Sequence, residues 1–249
     1  TTHNLHNCRE LSKRVADICV RSINPQTIKS MKASLILDYL ALSSILEETL
    51  IVSLSADNVH AKRSFLSGKL GKKVFSDKLS VVDDGILGEG LYSGKFDAEG
   101  ASSSKNVLID SGGIKNFMYD RYSANIEKKQ STGNCSGLEK IPNVSPTNFI
   151  IKPGDYSREE IIKETKKGIY AYSAIGTHTI NNITGDVSVG VENAFSVENG
   201  EIKYPIKQAM ISFNVFDALR NFKALGRKLR QDDNVVAPLI KFDNVHITG

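Results

Sequence analysis

Ala194-Phe195-Ser196-Val197-Glu198-Asn199-Gly200-Glu201-Ile202-Lys203-Tyr204-Pro205-Ile206 sets the fold class of this chain. Residues suited to strands flank an Asn-Gly pair, and both of those residues tolerate the positive φ of a tight turn, so the segment predicts a β-hairpin. Lys105–Asp110 and Ile114–Tyr119 flank Ser111-Gly112-Gly113 in the same way. Asn148–Lys152 and Leu239–Ile247 read as further strands, and Val74–Val82 is compatible with strand. Gly85–Gly100 carries five glycines in sixteen residues, which excludes a helix and predicts a loop or bulged edge.

Helical patterns lie around these strands. Leu11, Val15 and Ile18 recur on one helix face from Cys8 to Ile23, ended by Asn24-Pro25. Ser34–Leu50 carries a wide apolar stripe and predicts a helix against the core. Ser157-Arg158-Glu159-Glu160 is a capping box opening a helix that stops before Gly168. Ser212 or Asn214 caps a last helix through Leu225, where Gly226 stops it; Phe222 and Leu225 would dock it on the sheet, and Arg220–Arg230 would be its solvated face. Strands and helices in this mixture make an α+β domain.

The composition is that of a globular chain: 249 residues, 40% hydrophobic and 24% charged, with a net charge of +4. The positive charge is spread too widely for a nucleic-acid footprint, which argues against direct DNA contact. Cys8, Cys19 and Cys135 are far apart and form no Cys-x-x-Cys pair, so neither a disulfide framework nor a zinc knuckle is implied, and a reducing cytoplasm is the expected setting. No apolar run reaches the roughly 18 residues of a membrane span, so no membrane partner is expected.

The candidate site residues each carry two readings. Asp97 and Glu99, two positions apart in Phe96-Asp97-Ala98-Glu99-Gly100, either share a strand face for acid/base work or bind backbone amides in a glycine-rich bend. Asn134 closes Ser131-Thr132-Gly133-Asn134, a tight turn whose free backbone groups meet a strand or a bound peptide; with no histidine near it, the loop holds no activated nucleophile, and Cys135 is a packing residue. Asp186 and Ser188, in Thr184-Gly185-Asp186-Val187-Ser188, either face a cleft or satisfy amides at a strand entrance. Gly88-Glu89-Gly90 lacks the spacing of a phosphate cradle. His3 and His6 sit in a terminus expected to fray, while His60, His178 and His246 are scattered; zinc needs three or four convergent ligands.

Taken in order, the segments 96–100, 131–134 and 184–188 resemble the carboxy-terminal half of the TldD/PmbA peptidase family. The resemblance implies a curved, mostly antiparallel, barrel-like sheet with peripheral helices over residues 34–249. It also implies that residues 1–33 are a helical segment ending an amino-terminal domain; Thr1 in place of Met fits a fragment or a processed start.

Catalytic TldD-type members carry His-Glu-x-x-x-His on a helix, where imidazoles ligate zinc and a carboxylate takes a proton from zinc-bound water. The matching stretch here is Leu37–Leu46, upstream of Asp83-Asp84-Gly85, and it holds one carboxylate and no imidazole. Residues 226–249 also lack the family's cysteine ligand. The chain therefore resembles the PmbA (TldE) branch: no catalytic or metal-binding residue, no cofactor of its own, and zinc only in a TldD-type partner subunit. The resemblance implies a complex acting on unfolded peptides, with a homodimer as an alternative assembly. Two other functions stand beside it, a regulatory protein of the DNA-gyrase-modulator type and an autonomous hydrolase using Asp97, Glu99 and Asp186.

Overall fold

The computed structural model describes residues 8–137 and 142–249, which leaves His3 and His6 outside the described residues. Five strands close into a barrel in the order β1 (Met31–Leu37), β8 (Lys167–Ile175), β9 (Asp186–Glu198), β11 (Ala209–Asn214) and β15 (Ile240–Thr248), with β15 pairing back to β1. All of these pairs are antiparallel except β1 with β8. The hairpin strand β10 (Glu201–Pro205) extends β9 beyond the ring, with Glu201 opposite Glu198, and the two-residue β12 (Ala224–Leu225) pairs with β15.

A second sheet runs β13 (Arg230–Asp232), β14 (Val235–Ala237), β7 (Phe149–Ile151), β2 (Val81–Asp84), β3 (Lys105–Asp110) and β4 (Gly113–Ile114). A small ribbon joins β5 (Cys135–Ser136) to β6 (Asn143–Val144). The helices are α1 (Cys8–Arg21), α2 (Tyr39–Leu46), α3 (Val52–Leu54), α4 (Ala56–His60), α5 (Arg121–Ile126), α6 (Arg158–Lys163) and α7 (Val215–Asn221), with a π-turn at Glu47–Ile51 between α2 and α3.

Barrel strands covered on both faces explain one departure from the sequence expectation. The helix read from Ser34 to Leu50 begins only at Tyr39, because Ser34–Leu37 belongs to β1. Leu35 and Leu37 point into the main core with Ile169 and Ile211, whereas Ile36 joins an outer layer with Ile161, Tyr170 and Phe195 under α6. A strand buried on both sides reads as a continuous apolar run, and periodicity alone does not separate it from a helix. Asp38 makes the switch: its backbone is extended and its carboxylate accepts the Tyr39 amide as N-cap.

A second departure concerns the last helix. Asn214 caps α7 by accepting the Phe216 and Asp217 amides, as expected of it, but the helix ends at Asn221. Phe222 turns extended, Lys223 N donates to Lys241 O, and Ala224–Leu225 become strand β12. The basic run is consequently not one helix face. Arg220 stays on α7 beside Asp217, Arg227 pairs with Glu160 at 2.9 Å, and Arg230 lies on β13.

Of Val74–Val82, read as compatible with strand, only Val81 and Val82 enter β2, and the residues before them are turn and loop. Ser157 and Glu160 complete a reciprocal capping box on α6, and β3–β4 turn through Ser111-Gly112, though the returning strand pairs over only two residues.

Candidate functional site

Asp97, Glu99 and Asn134 come together around the start of β5. One oxygen of Asp97 accepts the Glu99 and Ala101 amides at 3.0 and 2.8 Å, and the other accepts the Cys135 amide at 3.0 Å. Glu99 accepts the Arg121 amide at the first turn of α5, at 2.8 Å. The side-chain amide of Asn134, 1% exposed, donates to Asp83 at 2.7 Å and to Ser145 O at 3.0 Å, while its oxygen accepts from Thr132 at 2.6 Å.

Asp83, on β2, also accepts the Thr147 amide and hydroxyl; burial pushes its carboxyl above the usual range, and these donors work against that rise. Burial pushes the neighbouring Cys135 thiol up to about 11, with the negative charges of Glu99 and Asp97 adding to it.

Asp186 and Ser188 lie apart from this group, on barrel strand β9. Asp186 accepts from Asn214 at 2.9 Å and Thr184 at 2.7 Å, which holds its exposed carboxyl below the usual range, and Ser188 meets Ser212 at 3.2 Å across the β9–β11 ladder. Among the described residues no hydrogen bond joins the two networks.

A hollow lies elsewhere, between α1 and the outer barrel wall. It encloses about 590 Å³ and is lined by side chains from α1, the start of α2, α6, β8 and the segment leading into β13. Asp38, 3% exposed, anchors its floor: one oxygen takes Arg14 Nη2 at 2.9 Å, the other the Tyr170 hydroxyl at 2.5 Å. Burial and the facing Asp38 push the Tyr170 hydroxyl well above its usual value, so it stays a donor. Arg158 bonds the Tyr170 and Tyr172 hydroxyls at 3.2 and 3.1 Å.

Guanidiniums and rings alternate along the wall, Arg230 over Tyr39 and Arg14 between Tyr39 and Tyr172. A smaller hollow shares Glu10, Tyr39, Lys228 and Arg230 with the first and extends the groove to Gln231. There an acidic group begins: burial, then Asp233 and Asp232, push the Glu47 carboxyl up, and the Tyr92 hydroxyl bonds Asp233.

None of these groove residues was read in the sequence as a binding site; Ser157-Arg158-Glu159 entered only as a helix cap and Arg227, Lys228 and Arg230 only as a solvated face. The one available signal was Tyr170-Ala171-Tyr172, two phenols two positions apart and so on one strand face.

Comparison with known proteins places the chain. Residues 30–249 match the family model described as the PmbA/TldA metallopeptidase C-terminal domain. The chain belongs to the PmbA/TldD family. It is 39% identical over 243 residues to an uncharacterized protein, MJ0231, of Methanocaldococcus jannaschii, covering 97% of this chain and 57% of that one. It is 28% identical over 227 residues to the Metalloprotease PmbA of Escherichia coli O157:H7, covering 91% and 48%. Its fold matches the crystal structure of TldE from Thermococcus kodakarensis with a TM-score of 0.89 at 28% identity, over 97% of this chain and 55% of that one. The chain thus spans about half the length of the curated relatives it matches.

The zinc that the family description implies does not fit the residues described. In α2 the Ser43 and Ser44 hydroxyls donate back to Tyr39 O and Leu40 O, and Leu42, Ile45 and Leu46 are fully buried in the core. Among the described residues, no three His, Cys, Asp or Glu side chains converge as a metal site. No helix of the described residues is long and apolar enough to cross a membrane.

Proposed function

We propose that this chain is the partner subunit of a PmbA/TldD-type peptidase complex, supplying a cleft wall for unfolded peptide while the hydrolytic zinc sits in a TldD-type subunit. The observation that carries this reading is α2. The stretch Leu37–Leu46, which the resemblance reads as the place of the family's metal motif, runs from the end of β1 through α2 and carries core side chains and self-bonded hydroxyls and no imidazole. The groove supports a binding role, because it is continuous, half-polar and lined by side chains able to hold a backbone or a carboxylate.

The five signature positions are read as architecture, and none of them lines that cleft. Asp97, Glu99 and Asn134 shape the loops of the second sheet, and Asp186 and Ser188 lock the β9–β11 edge. Of residues 1–33, the part before the family match at residue 30 is read as the end of a preceding domain, supported by α1 having no buried residue, while Met31–Ala33 belong to barrel strand β1.

Mixing tests the proposal. Cleavage of an unfolded casein peptide should appear when a TldD-type homologue is added and be absent with either chain alone, and elemental analysis should find zinc only with the homologue. Peptide cleavage by this chain alone, or stoichiometric zinc on it, refutes the reading.

A further inference from the structure

We propose that the hollow under α1 is a binding pocket for a carboxylate carried next to a flat or branched apolar group, the chemistry of a peptide's C-terminal residue. The source of that carboxylate rests on the peptide reading above; the binding itself does not.

Charge in the hollow is unbalanced. Two guanidiniums, Arg14 and Arg158, reach into the floor around a single buried carboxylate. Asp38 is already committed to Arg14, to the Tyr170 hydroxyl and to the Tyr39 amide. Arg158 is left with two phenol oxygens, which accept its hydrogen bonds without neutralising it. Arg14 keeps Nη1 buried with no hydrogen-bond partner among the described residues. Burial weighs against both guanidiniums, but Asp38 and the phenol oxygens offset it and keep both charged, so one carboxylate serves two cations and surplus positive charge faces an incoming anion.

Farther out, Lys228 and Arg230 share Glu10 only loosely, at 3.8 and 3.6 Å, and the cations lining the hollow outnumber its carboxylates. The remaining wall suits an apolar body. Tyr172 packs edge-on to Phe195 with centroids 5.8 Å apart, and Ile18 and Leu239 close the sides. A bidentate carboxylate on planar guanidinium, with a side chain against rings, is the geometry such a pocket recognises.

Calorimetry and ligand-observed NMR on the whole chain test this with three probes: the tripeptide Ala-Ala-Phe, its C-terminal amide, and N-acetyl-phenylalanine. The acid tripeptide should bind, and the amide should bind about tenfold more weakly or worse, as expected when a charge-assisted pair is lost. Arg158→Gln should abolish the preference for acid over amide. Because Arg158 also braces Tyr170 and Tyr172, the rim variant Arg230→Gln is the second arm, and it should weaken the acid while leaving the amide unchanged.

Tighter binding of tripeptide than of N-acetyl-phenylalanine assigns the source to a chain end, and equal binding assigns it to a small aromatic acid. Equal affinity for acid and amide, or no binding of either, overturns the pocket. Cleavage by the mixed subunits would survive that result, so failure here and failure of the subunit reading are separable.

Discussion

Replacing Asn134 by Ala separates a structural role for this signature residue from a ligand-binding one. The side chain is 1% exposed and satisfies Asp83, Ser145 O and the Thr132 hydroxyl at once. Thr132 keeps an acceptor in Tyr119 O, so two groups carry the loss. Leaving the buried Asp83 carboxyl short of a donor costs about 1–3 kcal/mol, and a bared carbonyl adds roughly 1 kcal/mol. The expected destabilisation at pH 7 is therefore about 2–4 kcal/mol, read as a lower urea midpoint by far-ultraviolet circular dichroism.

The pH dependence sharpens the test. Burial already raises the Asp83 carboxyl, and Asn134 opposes that rise, so the variant raises it further. A carboxyl with a raised folded pKa contributes stability that is present below its unfolded pKa and lost as pH rises through the folded one. The gap between variant and parent should accordingly be smallest in acid and widen as pH rises. A penalty under about 1 kcal/mol at pH 7, or one constant with pH, refutes the claim that Asn134 holds Asp83.

Three further outcomes follow from the same structure. Burial acts to raise Glu127, but hydrogen bonds from Lys129, His60 and Tyr119 prevail and hold its carboxyl below the usual value; its stabilisation is present above the unfolded pKa and lost as pH falls through the folded one, so Glu127→Gln should flatten the acid side of a plot of Tm against pH. Gly112 sits at φ +77° with the place of a Cβ inside the Phe75 carbonyl and 2.7 Å from Ser76 O, so Gly112→Ala should cost about 3 kcal/mol or more in thermal unfolding, whereas Gly176→Ala, at φ +78° with open space, should cost about 1 kcal/mol. Iodoacetamide on the folded chain at pH 8 should label exposed Cys8 and Cys19 and spare Cys135, whose thiol lies near 11, as checked by mass spectrometry of the digest.

Local chemistry by itself determined the hairpin at Asn199-Gly200, the capping boxes and caps at Ser157 and Asn214, the looped character of Gly85–Gly100 and, through three short motifs in order, the family. These signals act over a few residues, where φ preference and a side chain's reach to the next amides settle the outcome. Only the tertiary structure decided that Ser34–Leu37 is strand, because burial on both faces erases the period-two pattern and the covering layer comes from α6, more than a hundred residues away. Only the tertiary structure, likewise, ended the last helix at Asn221, where pairing with β15 outcompetes the next helical turn. It also gathered Arg14, Asp38, Arg158 and Tyr170 from four separate segments into one pocket, since the pairing of charges is set by distances that chain closure creates and that spacing along a sequence does not encode.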